Sequence, residues 1–516
     1  MFASLALFGI LGLPILSGVA VRALTRVAKF RPNLSWLTGG TVLLGALIAL
    51  ASAWAWWGLN PDVGDAVVGG WTRVSFTGTP LTVGFGAGAC SVVIALAAAR
   101  VTHLLDPNSS ALVKAISSHG LFVVGAALAV LGGTSPTLLI GLGCMDIAGV
   151  LHAVRRRSGP VAIRVFGTQA IGVLLAGLVL MLRNSSDNSF RLATSASQTA
   201  DLLTLLISSA IVLHANLLPF GVTSEATSNM QTSAGLVGAM ALMAHAGGTT
   251  IWVPALAAVT CVFWSVRALG SVDAPDREAR ICEASAAFAI AFGSYAPAAA
   301  TSGWLLGTAL LLTSGIARIV GVYALLALPG SPVFIAFASA PPAAAENMLS
   351  MAMSVLHTGC HAVLLFALLR HVFGAGNFST LRSTFPNSRR LKEWPAFGLA
   401  ATHVFTLGIA PQFFGGPSLT ESIAQAGAST WIAISFGTLL GAALWRLGSN
   451  SLSEPLAQAD TLLMRAGMSF HPIYSALDRL RRSGGALLSL LESDGALLLA
   501  FLALVLVVLI SGQATP

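Results

Sequence analysis

The sequence predicts an all-α, polytopic membrane protein of about 14–16 transmembrane helices, some of them discontinuous. Three observations carry that reading. Apolar types make up 55% of the 516 residues and Asp, Glu, Lys and Arg only 9%, where soluble proteins carry roughly 25% charged residues. Apolar runs of roughly 18–25 residues recur, which suits helical spans and lacks the alternation of a transmembrane β-barrel. Basic clusters fall in alternate loops between those runs, the pattern of inward-facing loops.

Windows bounded by charges or Gly/Pro give candidate spans at 2–22, 35–57, 81–99, 117–134, 136–154, 162–182, 202–222, 232–250 and 251–269. They continue at 280–298, 302–328, 346–372, 393–414, 422–446 and 493–511. The first run has no basic residue before it, and Arg22, Arg26, Lys29 and Arg31 follow it. That order differs from a secretory signal and places the N-terminus outside an inner (cytoplasmic) cell membrane. Alternation then puts Arg100, Lys114, Arg155, Arg156, Arg157, Arg267, Arg277 and Arg280 on the inner face. The outer loops hold Asp62, Asp65, Asp187 and Asp201.

Parity fails once. The basic loop 370–392 should lie inside, which requires one more crossing between 328 and 346. That stretch is short and interrupted by Pro329, Pro332, Pro341 and Pro342, so a broken helix facing the protein interior is expected there. Residues 447–492 include an amphipathic stretch ending in Arg479, Arg481 and Arg482, expected to lie along the inner surface. The chain divides accordingly into N-terminal spans (1–116), a core (117–372), C-terminal spans (373–446), the amphipathic segment (447–492) and a terminal span (493–516).

The net charge of +8 reads as loop charge and not as nucleic-acid affinity. Cys90, Cys144, Cys261, Cys282 and Cys360 are scattered and form no metal or disulfide spacing. Gly84-x-Gly86-x-Gly88 is expected inside a span, as helix packing and not a dinucleotide loop. No cofactor or metal is expected, so the chain is not an enzyme by itself and any chemistry belongs to partner subunits.

An ionisable group deep in a span costs several kcal/mol unless paired or hydrated, and so marks function by default. Asp146 sits mid-span in 136–154, His214 in 202–222, His245 in 232–250 and Glu283 one turn inside 280–298. Arg318 is expected deep in 302–328. His357 and His361 share a face of 346–372 by their i, i+4 spacing, and His403 lies in 393–414. The alternative for each histidine is a hydrogen-bonded packing residue, and for Asp146 and Arg318 a structural ion pair.

These residues resemble a family pattern. Met145-Asp146-Ile147 is similar to the Trp-Glu-Leu of the fifth span in antiporter-like membrane subunits. Such subunits are shared by respiratory complex I, Mrp antiporters, membrane-bound hydrogenases and DAB inorganic-carbon transporters. Leu213-His214-Ala215-Asn216-Leu217-Leu218-Pro219 resembles V-K-A-G-L-F-P, with His214 on the lysine. Residues 231–247 fit P-T-P-V-S-A-L-L-H-A-A-T-M-V-K-A-G without a gap, with Ala239 for the histidine and His245 for the second lysine. The stretch Asp276 to Ser285, which contains Glu283, resembles D-I-K-R-L-L-A-Y-S with one insertion. Residues 314–320 resemble H-A-L-F-K-A-L, with Arg318 on the lysine. Residues 328–338 resemble L-P-P-T-P-G-F-I-A-K-F, with Phe337 on its final charge.

The resemblance implies inverted repeats and a buried relay of carboxylates, bases and water that translocates protons through the bilayer. It also implies other subunits of a membrane complex, either a DAB-type CO2/bicarbonate uptake partner or a redox arm. Histidine titrates near ~6.5 unperturbed where lysine titrates near ~10.4. Asp146, His214, His245 and Glu283 are the expected relay. Arg318 cannot release its proton and is expected to hold a field or an anion, with His357 and His361 as secondary candidates. Phe337 is expected to end the route in the second half. A degenerate, non-conducting scaffold is the competing reading.

Overall fold

The computed structural model describes residues 72–75, 82–85, 91–97, 112–155, 159–184, 201–217, 229–246, 250–338 with short gaps, 348–374, 394–411, 418–448, parts of 452–462 and a few isolated positions. The expected spans 2–22 and 493–511, most of 35–57, and Pro341 and Pro342 lie outside the described residues.

The described core is helical. It runs α1 (Leu112–Leu131), α2 (Ser135–Arg155), α3 (Gly159–Asn184), α4 (Asp201–His214) and α5 (Asn229–Ala246). It continues with α6 (Trp252–Gly270), α7 (Ala274–Gly293), α8 (Pro297–Leu311), α9 (Ile316–Leu325), α10 (Pro332–Ala338) and α11 (Met348–Phe373). Outside it lie α12 (Trp394–Ile409), α13 (Leu419–Gln425) and α14 (Ala428–Gly448). Among the described residues, five helices are long and apolar enough to cross a membrane. Leu174, Leu178, Ile432, Phe436 and Leu439 point outward from them, as residues facing hydrocarbon do. The protein is a multi-pass, all-α membrane protein.

The exception to helix is an antiparallel pair, β1 (Thr72–Ser75) and β2 (Thr82–Phe85). It corrects the expected span 81–99. Among the described residues of that span, Ser91–Ala97 are helical, while Gly84 stands in β2.

Two groups repeat one packing order. In the first, α1 and α2 form a close pair, α4 is short and interrupted, and α5 packs back on α2. In the second, α6 and α7 form the close pair, α9–α10 is interrupted, and α11 packs back on α7. Close approach in the α1–α2 pair depends on glycine. A Cβ on Gly141 would strike the backbone of Ala129, and one on Gly125 would strike Cys144 and Met145. Small residues of this kind let helices pack tightly where no hydrophobic force acts between them.

The interruptions have local causes. Helix α4 ends in a Schellman motif: Leu217 N donates to Val212 O at 3.0 Å and Asn216 N to Leu213 O at 3.1 Å. Asn216 takes φ +55°, the left-handed conformation that suits asparagine best after glycine. In the second repeat, Ser331 Oγ accepts from Phe334 N at 3.0 Å and donates to Leu326 O at 2.6 Å. Ser331 is thus the N-cap of α10, with Pro332 at the first helical position, where its missing N–H costs nothing. All of α10 is buried.

The broken helix at the prolines is therefore present, between Leu325 and Pro332. The expected single span 302–328 is two units, α8 and α9, which pack side by side through Gly307 and Gly321. Arg318 moves accordingly, from deep in a span to the first turn of α9.

Gly330, at φ +79°, forms the bend of the second break, and Gly408 of α12 packs directly on its carbonyl oxygen. A Cβ at 408 has backbone in its place, which cannot rotate aside. Gly408→Ala should destabilise the fold by about 1–3 kcal/mol, measured by thermal unfolding in detergent against Gly398→Ala, where nothing lies within 4 Å.

Candidate functional site

Asp146 and His214 meet in the interior. Asp146 sits in the middle of α2 on the face opposite exposed Ile147 and Leu151. His214 is the last residue of α4, held there by the Schellman turn. The His214 Nδ1–Asp146 Oδ2 distance is 3.8 Å, with the residues 0% and 1% exposed. Neither carboxylate oxygen has a hydrogen-bond partner, and neither ring nitrogen reaches full hydrogen-bond geometry, although the ring lies beside the backbone of Gln169 and Ala234. Such a pair is costly unless it shares charge or water. A closing shift of about 1 Å would bring the two atoms to hydrogen-bond distance. The carbonyl end of α4 adds partial negative charge beside the ring, which favours a cation there.

Glycines shape this place. A Cβ on Gly238 of α5 would overlap His214 Nε2, and one on Gly172 of α3 would press on the His214 backbone at 2.8 Å. The ring therefore fills the side-chain space that Gly238 leaves empty.

Beside the break lies a cavity of ≈ 30 Å³, room for about one water. Its polar lining comes from Gln169, Asn216, Gln231, Thr260 and Glu283. Gln169 donates to Gln231 O at 3.3 Å, and its Oε1 is buried without a partner. Asn216 Oδ1 accepts from Thr168 at 3.2 Å. Glu283 is buried on α7, so the cavity joins the break of the first repeat to an acid of the second. Sequence reasoning missed Gln169 and Gln231. The readable signal was two amides inside apolar runs.

The other expected residues scatter. His245 is half-buried on α5, with Nε2 unpartnered. It lies seven residues beyond Gly238, about 10 Å along the helix axis, so it is placed on the helix facing His214 without direct contact. Arg318 stands with Glu278 and His371, away from this site. His357 and His361 pack among rings: His357 with Phe292 at 4.5 Å and Phe337 at 6.1 Å, His361 with Phe288 at 5.8 Å. His361 Nε2 also lies 3.1 Å from Thr438 Oγ1. His403 Nε2 lies 3.3 Å from Ser91 O. Among the described residues no group of three or more His, Cys, Asp or Glu could hold a metal.

No family model matches the sequence, and no curated protein sequence does. Solved structures do match in three dimensions. One is the Mrp complex from Dietzia sp., with a TM-score of 0.64 at 16% identity, covering 99% of this chain and 63% of that one. The chain thus spans less than two thirds of that Mrp chain. The membrane-bound sulfane sulfur reductase, an archaeal respiratory membrane complex, gives 0.58 at 15% identity over 84% of this chain and 99% of that one. Respiratory complex I from Thermus thermophilus gives 0.56 at 18% identity over 79% and 100%. The chain has the fold of an antiporter-like membrane subunit. Within that fold, His214 stands at the interruption of the first repeat with Asp146 beside it, and Glu283 lines the cavity next to that interruption.

Gly238→Ala should push the His214 ring out of place and cost about 1–3 kcal/mol. Gly143→Ala, on the same helix as Asp146 but with nothing within 4 Å, should stay within about 0.5 kcal/mol. Thermal unfolding of Gly238→Ala with and without His214→Ala checks the cause: the two changes should couple, with the double variant recovering stability.

Proposed function

We propose that the chain is a proton-translocating subunit of a membrane complex, in which Asp146 and His214 hold and pass one proton. The observation that carries this reading is the unpartnered pair 3.8 Å apart in the interior. In one state Asp146 carries the proton as a carboxylic acid beside a neutral imidazole. In the other the proton is on His214 Nδ1, and the pair is an imidazolium–carboxylate. Neither state leaves a lone charge in a medium that penalises one heavily. Water in the cavity beside Gln169 and Asn216 connects the pair to Glu283, and His245 serves on the far side, reached by water over its two-turn gap.

The energy source or sink lies on a partner. The three structural neighbours belong, by their names, to Mrp and respiratory complexes, which favours a redox-linked or antiporter-type assembly. A DAB-type CO2/bicarbonate uptake partner is the other candidate. The membrane is the inner cell membrane, with Arg267, Arg277, Arg280 and Arg370 on its cytoplasmic side. A second reading, a scaffold that does not conduct, is favoured by the rings of Phe292, Phe337 and His357 where the second route would pass.

Reconstitution of the intact complex in proteoliposomes with a pH-sensitive dye separates the two. Asp146→Asn should leave assembly intact and lower proton flux by roughly a hundredfold, because a general acid–base step is lost. Replacing His214 and His245 together by glutamine, which keeps hydrogen bonding without titrating, should do the same. Unchanged flux in both variants would falsify the relay and leave the scaffold.

A further inference from the structure

The break between α9 and α10 has no titratable base on its own helices. Helix α10 carries only Pro, Val, Phe, Ile and Ala, and Arg318 stands at the other end of α9. The Tyr323 hydroxyl donates to Pro329 O at 2.8 Å. Two neighbouring helices close on this break. A Cβ on Gly303 of α8 would lie 2.7 Å from Pro332, and Gly408 of α12 packs on the carbonyl oxygen of Gly330. About 8 Å along the helix axis before Gly408, α12 carries His403, which is 7% exposed.

His403 Nε2 lies 3.4 Å from Ser91 Oγ and 3.3 Å from Ser91 O. Ser91 Oγ in turn lies 3.2 Å from Ser302 Oγ. Both serines are buried. Ser302 directly precedes Gly303, so the contacts run from α12 through the helical segment 91–97 to the turn of α8 that packs on the break. The two groups that Ser91 offers to Nε2 differ in kind. With a proton on Nε2, the ring donates to Ser91 O; with its proton on Nδ1 alone, Nε2 accepts from the Ser91 hydroxyl. One residue thus serves the ring both before and after it gains a proton.

We propose that His403, Ser91 and Ser302 form a proton-transfer path of the second repeat, with His403 as its base and the α9–α10 break as its mouth. This rests on the reading of the chain as a proton-translocating subunit. In the transfer, the Ser91 hydroxyl proton passes to His403 Nε2 and the Ser302 hydroxyl proton passes to Ser91 Oγ. A hydronium at the break restores the Ser302 hydroxyl and is left as water. One positive charge thereby moves from the break to the ring, and every oxygen keeps its valence. The imidazolium holds Ser91 O through its Nε2–H and discharges through Nδ1, on its other edge. None of the three members belongs to the ring cluster of Phe292, Phe337 and His357, so the path does not depend on the position where Phe337 stands.

The test is proton flux by the intact complex in proteoliposomes, with assembly yield measured for each variant. Ser91→Ala separates a path from a packing staple, because it removes the hydroxyl and leaves the backbone carbonyl at 91 to hold the ring. A path requires flux to fall roughly tenfold or more in a complex that assembles at wild-type yield; a staple requires flux to stay at the wild-type level. Ser302→Ala and His403→Gln should lower flux likewise. Thr402→Ala, which removes a hydroxyl that donates to Gly398 O at 2.7 Å, should leave it unchanged. If His403→Gln does not assemble, the two serine variants decide. Flux that survives both serine variants while Asp146→Asn abolishes it overturns this path and leaves the first repeat conducting. A wild-type complex that passes no protons overturns the parent reading and this path with it.

Discussion

Hydrocarbon offers backbone N–H and C=O groups no partner, so a helix can be interrupted in this protein only where its own side chains or neighbours satisfy the free groups. That constraint explains the form of both interruptions. The Schellman turn after α4 uses the N–H groups of Asn216 and Leu217 to cap carbonyls that would otherwise be bare. Ser331 uses one hydroxyl twice, accepting from the start of α10 and donating to the end of α9. Once the breaks are affordable, polar groups can collect beside them. His214 stands on one break, and Gln169, Asn216 and Glu283 line the cavity next to it.

Charge is sorted by the same solvent logic. In the interior, Asp146 and His214 form a pair whose members can both be neutral or both charged. At the arginine-rich end, Arg267 is 1% exposed yet tolerable, because Asp460 neutralises it and the rings of Trp264 and Phe263 lie at 5.0 and 5.7 Å from its guanidinium carbon. Arg267 and Arg280 are buried but share the Asp460 carboxylate. The groups that can discharge occupy the middle.

The fold class was legible because lipid imposes it on composition, and Asp146 and His214 were legible because an acid and a base inside apolar runs need a reason. Arg318 was misplaced for a definite cause. Hydropathy sees one apolar run from 302 to 328 and cannot see that it divides into α8 and α9. The same limit hid the β1–β2 pair, since Thr82–Phe85 runs on without a charged residue into the apolar stretch that follows. The cavity was illegible altogether: Gln169 and Glu283 are over a hundred residues apart, and only the packing of α7 against α5 brings them to one space.

Gly238 supplies the last step. In the motif that residues 231–247 resemble, the position of Gly238 is a leucine, and the position of His214 in the preceding motif is a lysine. A lysine reaches along a thin, flexible stem and leaves room for a leucine on the facing helix. An imidazole is a planar ring on a short stem, and at His214 it occupies the volume a side chain at 238 would fill. The glycine at 238 and the ring at 214 are therefore a matched pair across α4 and α5. Neither half is stable chemistry alone: leucine with histidine collides, and glycine with lysine leaves a void beside a buried charge, which costs packing and invites water. His214 therefore has a fitted place in the fold, in the space Gly238 leaves open and 3.8 Å from the Asp146 carboxylate.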